Sequence, residues 1–203
     1  MTREAFEFIK AALRNPLDVS TVFPTSPALA EAMIARGELS SASQVVELGP
    51  GTGAITKHIA KRLRSPSVYL GVELDPRMVE FLRKEFPALR FENGPAENLP
   101  QWLPEQSVDL VISSLPWTLF PTEVQTKTVD SIVRSLKPGG VFLTYICINA
   151  MFFPQARPFI KKLRTSFRDV SLSRLEWRNI PPAFVFKARI DSWVKRTEER
   201  SGI

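Results

Sequence analysis

The chain has 203 residues, enough for one sizeable hydrophobic core and too few for two comfortable domains. Hydrophobic residues at 44% and charged residues at 24% are ordinary globular values, which excludes a disordered or fibrous chain. Lys and Arg number 27 against 21 Asp and Glu, a formal charge of +6 that favours an anionic partner, either nucleic acid or an acidic membrane surface.

Residues Thr2 to Arg14 read as an amphipathic helix with Phe6, Ile9 and Leu13 on one stripe, stopped by Asn15-Pro16. Arg3, Glu4, Glu7 and Lys10 interrupt the apolar residues, so no signal-peptide core is present and a cytoplasmic location is expected. A second helix is punctuated at both ends, with Ser26 as N-cap, Pro27 in the first turn, Ala28 to Arg36 as its body and Gly37 as its stop. From Gln44 onward, short β-branched runs alternate with amphipathic stretches, the pattern of a parallel sheet covered on both faces. Strands are expected over Gln44 to Leu48, Val68 to Glu73, Leu89 to Glu92, Val108 to Ser113 and Val141 to Tyr145. Helices fall between them, near Ala54 to Leu63, Pro76 to Phe86 and Glu123 to Leu136. Lys137-Pro138-Gly139-Gly140 reads as a turn that ends the last of these helices before the fifth strand. A basic helix near Pro158 to Phe167 follows, then strand-like runs over Val170 to Trp177 and Ala183 to Ala188. The expected architecture is α/β: a Rossmann-like, doubly wound, mostly parallel sheet of about seven strands with an N-terminal helical extension. The longest apolar run, Val141 to Phe153, contains Thr144 and Asn149 and falls short of the roughly 18 to 20 residues of a spanning helix. Cys147 is the only cysteine, which leaves no intramolecular disulfide and no cysteine-cluster metal site.

The run Val45-Val46-Glu47-Leu48-Gly49-Pro50-Gly51-Thr52-Gly53 carries a buried strand into three alternating glycines that open a helix. Such glycines let the backbone turn tightly and let a ligand approach closer than a Cβ would permit. The spacing differs from the G-x-G-x-x-G of dinucleotide binders, whose helix N-terminus meets a pyrophosphate, so a cofactor without phosphates is expected. Glu73, at the end of the second strand and about 20 residues past the glycines, stands where an acidic side chain hydrogen-bonds ribose hydroxyls. Together these features resemble motif I and the acidic loop of the class I S-adenosylmethionine methyltransferases, over about Val45 to Tyr145. The resemblance implies S-adenosyl-L-methionine as cofactor and S-adenosyl-L-homocysteine as product; no metal is expected, since no His/Asp/Glu cluster has ligand spacing. It also implies that Glu47, Gly49, Pro50, Gly51, Thr52 and Gly53 surround the methionine moiety, and that Glu73 with Leu74 holds the ribose. In Asn93-Gly94-Pro95-Ala96-Glu97 the family commonly has Asp or Asn beside the adenine amine, and Pro95 stands there instead. Adenine contact is then expected through Ala96 or Glu97.

Strand four ends in Ser113-Ser114-Leu115-Pro116-Trp117, at the carboxyl edge of the sheet where open α/β proteins bind ligands. Methyl transfer needs a neutral lone pair positioned in line with the sulfonium carbon, so hydroxyls and carbonyls here suit an amine acceptor. Ser113 is expected to touch cofactor and acceptor alike, and Trp117 to wall the site or face a cation with its π system. A Pro-terminated strand with Trp117 in the core is the plainer alternative. Tyr145, at the end of strand five, is the expected polar contact for proton removal. His58, between Lys57 and Lys61, is expected on the surface rather than at the chemistry.

The fourth-strand element resembles the Asn-x-Pro-aromatic signature of ribosomal RNA adenine dimethylases, with Ser in place of Asn. A closer resemblance is to bacterial phospholipid N-methyltransferases. It rests on Pro24-Thr25-Ser26, Glu47 to Gly53, Ser113-Ser114-Leu115-Pro116 and Asn179-Ile180-Pro181-Pro182-Ala183. It implies methylation of phosphatidylethanolamine toward phosphatidylcholine at an anionic membrane surface, with peripheral attachment to the inner face of the cell membrane. Residues 1–37 would then form helices that close the site or touch the membrane, and residues 38–203 the methyltransferase domain. Phe6, Phe8, Ile9 and Leu13 with Arg3, Lys10 and Arg14 suit an interfacial helix. The basic residues Arg157, Lys161, Lys162, Arg164, Arg168, Arg174 and Arg178 beside Met151, Phe152, Phe153 and Phe159 suit a lipid interface, and would also suit RNA phosphates. The alternatives are an RNA adenine or small-amine N-methyltransferase, and a cofactor-binding or membrane-binding module without turnover.

Overall fold

The computed structural model describes residues 25–191, so the expected helix over Thr2 to Arg14 lies outside the described residues. Helix α1 (Pro27–Ile34) begins where Ser26 caps it by accepting a hydrogen bond from the Leu29 amide at 3.1 Å, with Pro27 supplying the first turn. It buries Leu29, Ala30, Met33 and Ile34 in the same core as the sheet.

Seven strands make one sheet: β1 (Val45–Leu48), β2 (Tyr69–Glu73), β3 (Arg90–Asn93), β4 (Val108–Ser113), β5 (Leu136–Cys147), β6 (Asp169–Leu172) and β7 (Ala183–Arg189). Their order is β3-β2-β1-β4-β5-β7-β6, parallel from β3 through β5, with β7 antiparallel to β5 and β6 antiparallel to β7. The interior strands β1 and β2 are buried at every position, as strands covered on both faces must be. Helices α2 (Thr56–Ala60), α3 (Pro76–Glu85), α4 (Thr122–Ser135) and α5 (Ala156–Ser166) complete the layers. In α3 the Asp75 side chain caps the Arg77 amide at 2.9 Å, and Val79 and Leu82 turn inward. The chain leaves β1 toward β3 and returns to β4, so the sheet has its switch point between β1 and β4, where a crevice opens at the carboxyl ends.

The structure corrects several expected boundaries. β5 begins at once where α4 stops, and Lys137 to Gly140 belong to the strand instead of forming a separate turn. Leu136 is already extended at φ −71°, ψ 137°, and Gly139, at φ 77°, takes up an irregularity that shifts the β4–β5 register between Val108 and Leu110. β6 stops at Leu172, well short of Trp177. The ladder breaks at Ser173, whose Oγ accepts from the Val185 amide at 2.9 Å, and beyond it Glu176 makes only an isolated bridge to Ala183. α2 is shorter than Ala54 to Leu63 and is flanked by turns on both sides. No helix among the described residues is long and apolar enough to cross a membrane.

Candidate active site

A cavity of about 700 Å³ opens at the carboxyl ends of β1, β2, β3, β4 and β5. It is lined by the loop after β1 (Gly49 to Thr52), the start of the β2–α3 connection (Glu73 to Asp75), Gly94 to Glu97 after β3, Ser114 to Thr118 after β4, and Tyr145 to Cys147 at the end of β5.

The three glycines after β1 are required for three different reasons. All have positive φ: 71° at Gly49, 56° at Gly51 and 80° at Gly53. A Cβ on Gly49 would meet Leu115 Cδ2 at 2.8 Å, and one on Gly53 would meet Phe86 Cε2 at 2.6 Å. A Cβ on Gly51 would meet nothing within 4 Å. Gly51 is therefore the member that leaves room for a ligand, and Gly53, absent from the cavity wall, is there for helix packing.

Glu73 ties two of these loops together. One carboxylate oxygen accepts from the Gly51 amide at 3.0 Å and the other from the amides of Leu74 and Asp75 at 2.8 and 3.0 Å. Burial raises its pKa, and the three amide bonds oppose that rise. Glu47 is wholly buried and does not line the cavity; its Oε2 accepts from the hydroxyls of Thr56 and Tyr69. Its Oε1 is buried without a hydrogen-bond partner, and desolvation pushes its pKa up to about 7. Asn93 donates to the carbonyls of Glu73 and Leu74, at 3.0 and 3.1 Å, fixing the β3 loop against the β2 loop.

On the other side, Ser114, Leu115, Pro116, Trp117 and Tyr145 reach the cavity and Ser113 does not. Ser113 is fully buried; its Oγ accepts from the Leu115 amide at 3.2 Å and its carbonyl accepts from Thr144 Oγ1 at 3.1 Å. Thr144 accepts in turn from Trp117 Nε1 at 3.0 Å. Trp117 is 1% exposed, stacks on Phe159 at 4.5 Å and meets Phe120 and Phe142 edge-on at 6.0 Å. Its ring is thus committed to the core, and it meets the cavity as a wall. Tyr145 shares a hydrogen bond with Thr25 at 3.1 Å, and burial raises its pKa, so at neutral pH it is an uncharged phenol. Cys147 is a free thiol whose pKa burial pushes up to about 11.

Sequence reasoning did not place Thr25, Asp75, Arg77, Phe120, Val124 or Thr128 on this wall. Val124 and Thr128 were legible as an i, i+4 pair on the inward stripe of α4. The two outlying words of the sequence also converge here. The Ser26 amide donates to Asn179 Oδ1 at 3.0 Å, Asn179 Nδ2 donates to the Pro181 carbonyl at 2.7 Å, and the Ile148 amide donates to the Pro182 carbonyl at 2.8 Å. His58 stands away from the cavity, with Nδ1 2.6 Å from Glu31 Oε1. Charge on the wall is one-sided: Glu73, Asp75, Arg77 and Glu97 come from the β2 and β3 side. Among the described residues the β4 and β5 side offers Thr25, Ser114, Thr118, Thr128 and Tyr145 as its hydroxyl-bearing side chains.

Residues 45–140 match the Methyltransferase domain family. An ornithine lipid N-methyltransferase from Singulisphaera acidiphila is 28% identical over 193 residues, covering 92% of this chain and 96% of that protein. A protein from Thermococcus onnurineus named "Probable ribosomal RNA small subunit methyltransferase A" is 34% identical over 120 residues, covering 59% of this chain but 42% of that one. Among solved structures, a TehB-like SAM-dependent methyltransferase from Corynebacterium glutamicum superposes with a TM-score of 0.60 at 15% identity, covering 94% of this chain and 100% of that one. The [4+2]-cyclase SpnF does so with a TM-score of 0.67 at 13% identity, covering 93% and 97%. That last likeness shows that the fold does not by itself fix the reaction.

Proposed function

We propose that the chain, a class I S-adenosylmethionine-dependent methyltransferase, takes as its acceptor the primary amine of a membrane aminolipid, phosphatidylethanolamine or an ornithine lipid. The cavity residues fit the cofactor. Gly51 leaves a cradle that a Cβ would fill, and Glu73 sits between two loops with lone pairs to spare for a diol. Glu47 Oε1 is a buried acceptor still without a partner, behind the glycine loop. When bound, the cofactor supplies the electrophilic methyl group. Gly49 to Thr52, Glu73, Leu74, Ala96 and Glu97 would hold it, and Ser114 to Trp117 with Tyr145 would face the acceptor.

The observation that carries the acceptor reading is the uncharged wall on the β4 and β5 side. Among the described residues the cavity's carboxylates, Glu73, Asp75 and Glu97, lie on the β2 and β3 side. A lipid ammonium placed against the β4 and β5 wall therefore loses water with no carboxylate on that wall to hold its charge, which favours the neutral amine, the nucleophilic form. Tyr145, held by Thr25, and the loop carbonyls can orient that amine, and a water chain can take the proton. Support from relatedness comes from the full-length match to the ornithine lipid enzyme, and from the union of the Thr25 and Asn179 segments beside the site. The RNA reading is favoured by the Thermococcus match. It is opposed by Ser114, which by spacing stands where that signature has its Asn and is too short to grip a base as an amide does.

The test is methyl incorporation from labelled cofactor into vesicles of phosphatidylethanolamine, of ornithine lipid, or of phosphatidylglycerol alone, beside unmodified ribosomal RNA. Label in either amine-bearing lipid, and none in phosphatidylglycerol, is expected. Label confined to RNA would replace this reading with the adenine one. The reading also places the working enzyme in the cytoplasm against the inner leaflet, where fractionation should recover it with membranes at low salt.

A further inference from the structure

We propose that the end of the sheet beside the cavity mouth is a membrane-insertion surface. In this proposal Phe152, Trp177 and Ile180 enter the interfacial zone of a bilayer, and Arg174 and Arg178 meet its phosphates. It deepens the aminolipid reading and rests on it for the choice of partner.

Phe152 is 85% exposed, Trp177 72% and Ile180 74%, the three most exposed large apolar side chains among the described residues. They lie on two segments that leave the same end of β5 and β7, the turn Asn149–Phe152 and the connection that runs from β6 to β7. Both segments are built to hold their shape. Cys147 pairs with Ala183, the Ile148 amide donates to the Pro182 carbonyl at 2.8 Å, and Asn179, 3% exposed, is fixed to Ser26 and Pro181. Asn179 is thus a buried anchor that leaves its neighbours Arg178 and Ile180, and Trp177 before them, facing outward.

Water-facing apolar groups concentrated on adjoining, well-anchored turns mark a binding surface more often than a random exposed residue does. A bilayer is the occupant that the surroundings favour. Trp is suited to the interface, with an apolar body and a polar N–H. Arg174 and Arg178 are exposed within the same connection, Arg178 in an ion pair with Glu176 at 3.0 Å that a phosphate would have to share, and the whole chain carries a formal +6. The same end of β5 also sends Tyr145, Ile146, Cys147 and Ala150 to the cavity wall. A lipid amine could therefore enter the cavity while its acyl chains stay in the layer that holds Phe152 and Trp177.

The test uses the full-length protein with vesicles of phosphatidylethanolamine and phosphatidylglycerol, and a triple variant, Phe152→Ser, Trp177→Ser and Ile180→Ser. All three positions are exposed, so cofactor affinity, the check on folding, should be unchanged. Vesicle-bound protein and methylation of vesicular phosphatidylethanolamine should both fall about tenfold or more. Methylation of a short-chain, water-soluble phosphatidylethanolamine should not change. In the unaltered protein, vesicles with brominated acyl chains should quench a part of the tryptophan emission that the Trp177→Phe variant lacks. A triple variant that binds and methylates vesicles like the parent would overturn the surface while leaving the acceptor reading intact. Quenching without any Trp177 component would do the same, and would point to cover by the chain's own residues 1–24 or by another protein. A parent protein that is quenched by vesicles but methylates neither form of phosphatidylethanolamine nor ornithine lipid would remove the acceptor reading alone.

Discussion

At the scale of single residues, the glycine loop separates binding from folding. Gly51→Ala places a methyl group in open cavity space at a φ of 56°, where the strain of a left-handed Ala is about 1 kcal/mol. The variant should fold, and titration calorimetry should show S-adenosylmethionine affinity down about tenfold or more, because the methyl occupies the space a ligand needs. Gly53→Ala drives its methyl to 2.6 Å from the Phe86 ring at a φ of 80°, so it should lose about 2 to 3 kcal/mol in urea unfolding. An unchanged affinity in Gly51→Ala would unseat the cavity as the cofactor's place. Glu47 makes a second prediction. Its carboxyl is lifted from an ordinary 4.5 to about 7 by burial, against the hydroxyls of Tyr69 and Thr56. A carboxyl with a raised folded pKa binds more protons folded than unfolded. Its contribution to stability is then complete below about pH 4.5 and is lost as pH climbs through about 7. The loss is about 3 kcal/mol across that window. Glu47→Gln, which keeps an acceptor for both hydroxyls, should flatten this slope, and chemical denaturation of the cofactor-free protein at a series of pH values reads it directly.

At the scale of elements, what was legible in the sequence depended on whether local chemistry alone decided the outcome. Ser26-Pro27 and Asp75-Pro76 set the starts of α1 and α3 because cap and proline act within one turn. The strands β1, β2 and β4 were legible because burial on both faces leaves a mostly apolar, β-branched run, interrupted by Glu47 in β1 and Asp109 in β4. The start of β5 was not, since Pro138-Gly139-Gly140 looks like a turn, and it is the pairing of Leu136 with Val108 before it, and of Val141 with Leu110 and Arg189 after it, that carries the strand through. Nor was the end of β6, because its ladder stops where the Ser173 side chain takes the Val185 amide, 12 residues away in sequence. In the site, the glycines and Glu73 were legible from spacing, while Thr25 was not given a role, because its partner Tyr145 lies 120 residues downstream. The Asn179 anchor is of the same non-local kind and carries a third prediction. Asn179→Ala removes hydrogen bonds from the Ser26 amide and to the Pro181 carbonyl, leaving a part-buried N–H unpaired. Two proton-donor contacts of about 1 kcal/mol each are lost at the joint that positions Thr25, and with it Tyr145. Turnover of the lipid amine should fall about tenfold while cofactor affinity, set on the β1 to β3 side, stays within twofold, about the resolution of calorimetry. An equal loss of both would mean that the joint supports the whole fold and not the acceptor side.

At the scale of the whole molecule, the sheet divides its labour along its width. Its β1 to β3 side presents glycines and carboxylates, its β4 and β5 side an uncharged wall, and its β6 to β7 connection an exposed apolar face among arginines. On the proposed reading a net charge of +6 would act on all of this at once, because an anionic bilayer would attract the basic surface before any side chain inserts. The two attractions respond differently to conditions. Coulomb attraction between exposed charges is screened over about 8 Å at physiological ionic strength, whereas apolar insertion is almost indifferent to salt. Raising salt from about 0.01 M to about 0.5 M should therefore weaken vesicle binding steeply at first and then level off, once only insertion remains. The plateau should be lower for the Phe152, Trp177 and Ile180 triple variant, and the early slope should be the same for both proteins, because the variant keeps every arginine. Replacing phosphatidylglycerol by phosphatidylcholine in the vesicles should remove the slope and keep the plateau. Co-sedimentation across such a salt series separates the two contributions in one experiment. A parent protein whose binding falls to nothing at high salt would be held by charge alone, and its aromatic rim would then have to be assigned to some other contact.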